Sequence, residues 1–227
     1  MSKALPVVRE GADAPPGSAV DFDAKLAAHG LSLSAAGVET LQVNVGKLCN
    51  QACRHCHVDA GPKRPEIMSA ETAGQVLAAV ERFRIPTLDI TGGAPELNPS
   101  FRLLVVRARR VGAHVIVRHN LTVMFEPGQE DLPEFFRAHG VEVVSSLPYF
   151  LEQQTDAQRG PGVFGKSVEA LRRLNAAGYG RERGLTLNLV YNPVGAFLPP
   201  RQASAEALSA CSCHMLVVDR LPVQSVT

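Results

Sequence analysis

The chain has 227 residues, which is enough for one sizeable hydrophobic core and too few for two well-buried domains of typical size. Hydrophobic residues make up 45% and charged residues 20%, and the formal net charge of +1 gives no reason to expect nucleic acid, a membrane surface or a strongly acidic partner. The sequence shows neither a secretory signal nor an apolar run that could span a membrane, so we expect a cytoplasmic protein.

Residues 1–20 are rich in Pro, Gly and Ala and are predicted to form a loose arm, followed by a short helix near residues 21–29. Beyond it, segments with a strand pattern alternate with segments whose apolar spacing and end residues predict helices. The predicted strands are LQVNV (41–45), TLDIT (87–91), HVIVR (114–118), VEVVSS (141–146) and LTLNLV (185–190). The predicted helices between them are 69–84, 99–111, 131–139 and 165–177.

Strands that alternate with helices are typical of an α/β fold in which right-handed crossovers connect parallel strands. An open doubly wound sheet and a partial (β/α) barrel would both fit. We favour the partial barrel, because the strands recur steadily and no phosphate-type glycine loop follows the first one. The predicted organisation is an N-terminal arm with a short helix at 1–40, the barrel at 41–200 and a divergent tail at 201–227.

Residue types that are common in catalytic and binding sites lie at or directly after the end of each predicted strand. They are the cysteine loop GKLCNQACRHCH, the glycine segment GGAPE (92–96), His119 with Asn120, Ser145 with Ser146, and Tyr191 with Asn192. In barrels and in open α/β sheets, sites form at the carboxyl ends of the strands. The sequence therefore predicts one site at that edge of the sheet, where Asn188 and Tyr191 of the last strand are candidates to face a substrate.

The segment CNQACRHCH (49–57) has three cysteines in CxxxCxxC spacing, and three kinds of metal site fit this pattern. Haem attachment would use the CxxCH part, but it leaves Cys49 without a role and normally takes place outside the cytoplasm. A zinc site would need a remote ligand such as Cys211 or Cys213, because the adjacent Cys56 and His57 would struggle to reach one ion. An iron–sulfur cluster fits better, since three thiolates on a four-iron cube leave one iron open to a small chelating molecule.

CNQACRHC resembles the cysteine loop of the radical S-adenosylmethionine (SAM) enzymes, and GGAPE resembles their glycine motif beside the methionine end of SAM. In that superfamily the three cysteines hold a [4Fe–4S] cluster, SAM chelates the fourth iron, and an electron from the cluster generates a 5′-deoxyadenosyl radical. The resemblance thus implies Cys49, Cys53 and Cys56 as cluster ligands and an electron donor such as a flavodoxin or ferredoxin.

The same resemblance implies a set of SAM contacts, whereas it assigns no catalytic residue. The implied SAM-binding residues are Gly92, Gly93, Glu96, Asn120, Ser146 and Arg159. Each also has a simpler interpretation: the glycines as a tight turn, Glu96 as a helix-start carboxylate, Asn120 and Ser146 as strand-end caps, and Arg159 as an exposed loop residue. For Arg159, a guanidinium that pairs with the SAM carboxylate would be a sensible anchor.

Longer segments between about residues 40 and 200, among them TGGAPELNPSFR and LNLVYNPVGAFLPP, resemble the radical SAM proteins of arsenosugar biosynthesis. That resemblance implies transfer of the 5′-deoxyadenosyl group to a small dimethylated trivalent arsenic substrate. The pattern stops after Pro200, where the family has a further cysteine-rich domain, so we expect a barrel that lacks its C-terminal part. Two alternatives therefore stay open: a truncated homologue that binds cluster and SAM without full activity, and a small zinc- or thiol-binding α/β protein.

Overall fold

The computed structural model describes residues 21–33, 37–149 and 151–191. The predicted arm (1–20) and tail (201–227), as well as Asn192, Cys211 and Cys213, lie outside the described residues. The chain divides into two compact units, Met1–Val38 and Glu39–Thr227. In the first unit, helix α1 (Phe22–Ala28) begins after Asp21, whose carboxylate accepts a hydrogen bond from the backbone N–H of Asp23 at 3.0 Å.

The second unit is built on a parallel sheet whose strands lie side by side in chain order. They are β1 (Thr40–Asn44), β2 (Thr87–Thr91), β3 (His114–His119), β4 (Glu142–Ser146) and β5 (Leu187–Val190). A doubly wound sheet reverses its strand order at a switch point, whereas here each strand is added on the same side as the one before. The described residues therefore confirm the predicted α/β fold of partial-barrel type.

Five helices connect the strands. They are α2 (Ala70–Phe83), α3 (Phe101–Arg110), α4 (Leu132–His139), α5 (Glu152–Arg159) and α6 (Val163–Ala176). Helix α2 begins as predicted, because the Ser69 hydroxyl accepts a hydrogen bond from the Thr72 N–H at 3.1 Å. The sequence pattern did not predict α5 or two short 3₁₀ helices, Pro95–Leu97 and Thr122–Phe125.

The two faces of the sheet differ in polarity because strand side chains alternate between them. In β3, Val115 and Val117 are fully buried on one face, where they join helix residues such as Leu104 and Leu171 in the core. On the opposite face, Arg118 is half-buried and hydrogen-bonded to the carboxylate of Asp89. None of the helices in the described parts of the chain is long and apolar enough to cross a membrane.

Candidate functional site

A cavity of about 370 Å³ lies at the carboxyl ends of the strands, where the sequence predicts the site. Eight of the nine predicted site residues line it. The cysteine loop and the loops after β2 and β3 contribute Cys49, Cys53, Cys56, Gly92, Gly93 and Asn120. Ser146, at the end of β4, and Arg159, at the end of α5, complete this set. One concave site thus collects residues that are up to 110 positions apart in the sequence (49 to 159).

The start of the cysteine loop is held like a strand. The Lys47 N–H donates to the Glu66 carbonyl at 2.8 Å, and the Gly61 N–H donates back to the Lys47 carbonyl at 3.0 Å. The Cys49 N–H then donates to the Gly61 carbonyl at 3.2 Å. These bonds belong to isolated β-bridges beyond the end of β1, and they fix the backbone that carries the first cysteine.

The glycine pair after β2 permits a close backbone approach to the cysteine loop. The Gly93 N–H donates to the Gly46 carbonyl at 2.9 Å, and a Cβ added to Gly93 would lie 2.5 Å from the carbonyl oxygen of Leu48 and 2.9 Å from the Cβ of Cys49. A Cβ added to Gly92 would lie 2.8 Å from the Gly46 carbonyl oxygen. Because real Cβ atoms do not come so near, only glycine fits at either position.

Several N–H groups are directed at the cysteine sulfurs. The Cys49 Sγ accepts hydrogen bonds from the Gln51 backbone N–H at 3.4 Å and from the Asn120 amide at 3.5 Å, and the Cys56 Sγ accepts one from the Ala60 N–H at 3.3 Å. Burial raises the pKa of the Cys49 thiol, and these two hydrogen bonds to its sulfur oppose that rise. Donors aimed at sulfur favour the thiolate, which is the form that binds metal.

The arrangement of the thiols fits a cluster better than a single ion. Within the described ranges, no three His, Cys, Asp or Glu side chains come close enough together to hold one metal ion. The three cysteines, which are free thiols, instead line one cavity. In an iron–sulfur cluster each thiolate binds its own iron, so the sulfurs stand further apart than in a tetrahedral zinc site.

Arg159 is buried, with 7% of its surface exposed, and it is the last residue of α5. The interpretation of Arg159 as an exposed loop residue is therefore wrong. Its Nη1 donates a hydrogen bond to the carbonyl of Ser146, and its Nε is buried without a partner among the described residues. Burial lowers the pKa of the neighbouring His55, and the positive charge of Arg159 lowers it further.

Glu96 is the predicted site residue that does not line the cavity. Its side chain is fully buried in the 3₁₀ helix Pro95–Leu97 and contacts His119, whose Nδ1 lies 2.5 Å from the Glu96 Oε1. His119 also packs edge-on against Phe136, with the ring centroids 5.5 Å apart. The carboxylate therefore lies in a buried pair and is not exposed to the cavity in this structure.

The sequence interpretation missed a polar network on the cavity face of the sheet. Arg118 donates from Nε and Nη2 to the Asp89 carboxylate at 3.0 and 2.8 Å, and Gln42 donates to the same carboxylate at 2.8 Å. The hydrogen bonds to Asp89 raise the pKa of Arg118, which lines the cavity. The signal that could have identified this network is a charged residue within an otherwise apolar strand, as Asp89 is in TLDIT and Arg118 in HVIVR.

A second set of hydrogen-bonded polar side chains lies on the cavity face of the sheet. Glu142 contacts His114 at 2.8 Å and accepts a hydrogen bond from Asn188 at 2.8 Å. Asn188, a predicted substrate-facing residue, is thus held by a carboxylate of the neighbouring strand. Tyr191 packs against Tyr149 with ring centroids 5.9 Å apart, and burial raises its pKa. The cavity face of the sheet therefore carries fixed polar groups where an ordinary barrel has apolar layers.

Two curated proteins of known function match this chain in sequence. Mycofactocin maturase MftC of Mycobacterium ulcerans (strain Agy99) is 33% identical over 132 residues, which cover 58% of this chain and 35% of that protein. Pre-heme d1 synthase of Dinoroseobacter shibae (strain DSM 16493 / NCIMB 14021 / DFL 12) is 36% identical over 147 residues, which cover 64% and 34%. The chain thus spans about a third of the length of these curated relatives.

The fold has solved counterparts. A crystal structure of Streptococcus suis SuiB bound to S-adenosylmethionine superposes with a TM-score of 0.63 at 14% identity, and the match covers 90% of this chain and 44% of SuiB. The sequence model of the radical SAM superfamily matches residues 43–194, a range that holds the end of β1, the strands β2 to β5, the cysteine loop and the glycine pair. The chain therefore belongs to the radical SAM superfamily.

Proposed function

We propose that the chain binds a [4Fe–4S] cluster through Cys49, Cys53 and Cys56, binds SAM beside it, and cleaves SAM reductively. The observation that carries this proposal is that all three cysteines line one cavity together with Gly92 and Gly93. When bound, the cluster supplies the electron that splits SAM into methionine and a 5′-deoxyadenosyl group. The electron would come from an external donor of the flavodoxin or ferredoxin class.

The chain's own residues would place SAM in this cavity. Gly92 and Gly93 bring backbone against the cysteine loop, which leaves no side chain between the glycine segment and the sulfurs. Arg159, fixed by its bond to the Ser146 carbonyl, has a buried Nε without a partner among the described residues. A guanidinium held this way suits a carboxylate, and we assign it to the carboxylate of SAM.

For the substrate, we propose a small dimethylated trivalent arsenic species with an As–OH group. The 5′-deoxyadenosyl radical would form an As–C bond, and the adduct would then lose one electron to a one-electron acceptor of the flavodoxin or ferredoxin class and the hydroxyl proton to water, which gives a pentavalent arsine oxide. One observation supports this choice: the motifs between about residues 40 and 200 resemble the radical SAM proteins of arsenosugar biosynthesis. Arg118, which faces the cavity, is available to donate a hydrogen bond to an oxygen on such a substrate.

A second candidate is modification of a precursor peptide. It is favoured by the 33% identity to a mycofactocin maturase and by the likeness in fold to SuiB, which has been solved in complex with its precursor peptide SuiA. A peptide needs a longer and more open groove than a dimethylated arsenic compound. The two candidates share the cluster and SAM, so they differ only in what accepts the radical.

The test is anaerobic reconstitution with iron and sulfide, followed by reduction in the presence of SAM. We expect about four irons per chain and release of 5′-deoxyadenosine, and a mass-resolved adenosyl–arsenic adduct when trivalent dimethylarsenic is supplied. The Cys53→Ala protein should lose iron uptake, whereas the matched Cys211→Ala protein should keep it.

Each part of the proposal can fail separately. Zinc at one per chain without iron would refute the cluster and support a zinc- or thiol-binding protein. A cluster that assembles without SAM turnover would indicate a homologue that binds its cofactors and completes no reaction. SAM cleavage without an arsenic adduct would leave the first part standing and overturn the arsenic assignment, and modification of a supplied precursor peptide would then favour the second candidate.

A further inference from the structure

A hydrogen-bond network of polar side chains, here called the web, connects the cysteine loop to the segment after β3. Thr122 Oγ1 accepts hydrogen bonds from Asn50 at 3.0 Å and from Gln51 at 2.6 Å. Asn120 donates to the Asn50 Oδ1 at 2.7 Å and to the Cys49 Sγ at 3.5 Å. Asn120, Thr122 and Gln51 are all buried, so water does not compete for these bonds.

The hydrogen-bonding capacity of the Asn120 side chain is fully used within the chain. An amide has two N–H donors and two acceptor positions on its oxygen. In Asn120, the nitrogen donates to Asn50 and to the Cys49 sulfur, and the oxygen accepts from the Val123 N–H at 2.9 Å and from the Thr122 hydroxyl at 3.5 Å. A SAM atom would have to displace one of these partners in order to bind Asn120.

We propose that Asn120 is a positioning residue for Cys49 rather than a SAM contact, and that its N–H···S hydrogen bond raises the reduction potential of the cluster. The inference rests on the proposed cluster. Hydrogen bonds to ligand sulfurs are among the features by which a protein sets the potential of an iron–sulfur cluster. The sign follows from charge, because reduction adds negative charge that spreads onto the sulfurs, so a donor at sulfur stabilises the reduced state more.

The experiment compares Asn120→Leu with a matched control, Thr122→Val. Both changes keep the approximate size of the side chain and break the web, but Thr122 has no bond to a sulfur among the described contacts. The midpoint potential of the reconstituted chain is measured by redox titration followed by electron paramagnetic resonance. Binding of SAM to the oxidised chain is measured by calorimetry.

For Asn120→Leu we expect the ratio of reduced to oxidised cluster at a fixed solution potential to fall roughly tenfold, which is about 59 mV for a one-electron couple. That size lies below the full energy of a hydrogen bond to a charged group, because only the difference in its strength between the reduced and the oxidised state moves the potential. SAM affinity should stay within about twofold of the wild type. The Asn120 side chain has no free donor or acceptor for SAM, so SAM must bind to other groups of the cavity. Thr122→Val should leave the potential unchanged.

Two results overturn the inference while the proposed function stands: an unchanged potential in Asn120→Leu, or an equal fall in Thr122→Val. A large loss of SAM affinity in Asn120→Leu would overturn it as well, since it would mark a SAM contact. If Asn120→Leu does not fold, Asn120→Ala decides in its place, because it also removes both amide donors and adds no charge beside the cluster. A wild-type chain that binds no iron would instead refute the proposed function, and this inference with it.

Discussion

Replacing Gly93 with alanine tests whether the glycine pair serves a close backbone approach. The new Cβ would lie 2.5 Å from the Leu48 carbonyl oxygen and 2.9 Å from the Cys49 Cβ, and neither atom belongs to the flexible end of a side chain. The backbone must therefore move. Overpacking of this kind costs about 1–3 kcal/mol. The cost falls on the segment that positions Cys49, so we expect a lower free energy of unfolding and weaker iron binding.

The matched control is Gly74→Ala, in the exposed part of helix α2, where an added Cβ meets nothing within 4 Å. Alanine in a helix interior is favoured over glycine by about 0.5–1 kcal/mol, so this protein should be slightly more stable. Urea unfolding of the metal-free chains gives the free energies, and an iron assay after reconstitution gives the site effect. A Gly93→Ala protein with wild-type stability and wild-type iron content would refute the close-approach argument.

Three further predictions concern the hydrogen bonds and charges around the core. Asp89→Asn should cost about 1–3 kcal/mol in urea unfolding, because it removes the charge from the buried partner of Arg118, and unchanged stability would contradict this. Hydrogen bonding by Arg102 lowers the pKa of the exposed Asp131. At pH values above the ordinary pKa of an aspartate, this pair therefore stabilises the folded chain by less than about 1 kcal/mol. That stabilisation is lost as the pH falls through the lowered pKa of Asp131. Asp131→Asn should thus be slightly destabilised in urea unfolding near neutral pH and equal to the wild type in acid, because it leaves Arg102 over the Phe135 ring. Tyr179→Phe should cost about 1 kcal/mol in thermal or urea unfolding, because the buried hydroxyl donates to a core carbonyl at 2.7 Å, and a loss within error of zero would refute that.

The sheet could be predicted because its signals are local. Residues 87–91 form β2 as predicted, since apolar residues and the following glycines mark both the strand and its end. Helix α5 was missed because Glu152–Arg159 has no apolar stripe, and its buried residues are the polar Thr155, Gln158 and Arg159. A helix that buries polar side chains against a site does not produce the spacing on which sequence prediction depends.

The site was predicted in its residue types but not in its contacts. The cysteine spacing and the strand ends identified which residues gather at one edge. The bond between Asn120 and Cys49, however, joins positions that are 71 residues apart. The pairing of Glu96 with His119 across 23 residues is equally invisible in the sequence, and it buries a carboxylate that was assigned to SAM. Such contacts depend on the register and packing of the folded strands, which no single sequence pattern encodes.

The three cysteines are not equivalent, and the difference explains why the first one needs a side-chain donor. Cys49 is buried, whereas Cys53 and Cys56 are partly exposed. Burial shields a cluster from water, but it also disfavours the thiolate that must bind iron, as the raised pKa of Cys49 shows. Water can solvate the two exposed thiolates, but it cannot reach the buried one. The Gln51 N–H and the Asn120 amide take the place of that water, so one of the two donors to the Cys49 sulfur comes from the segment directly after β3 and the other from the cysteine loop.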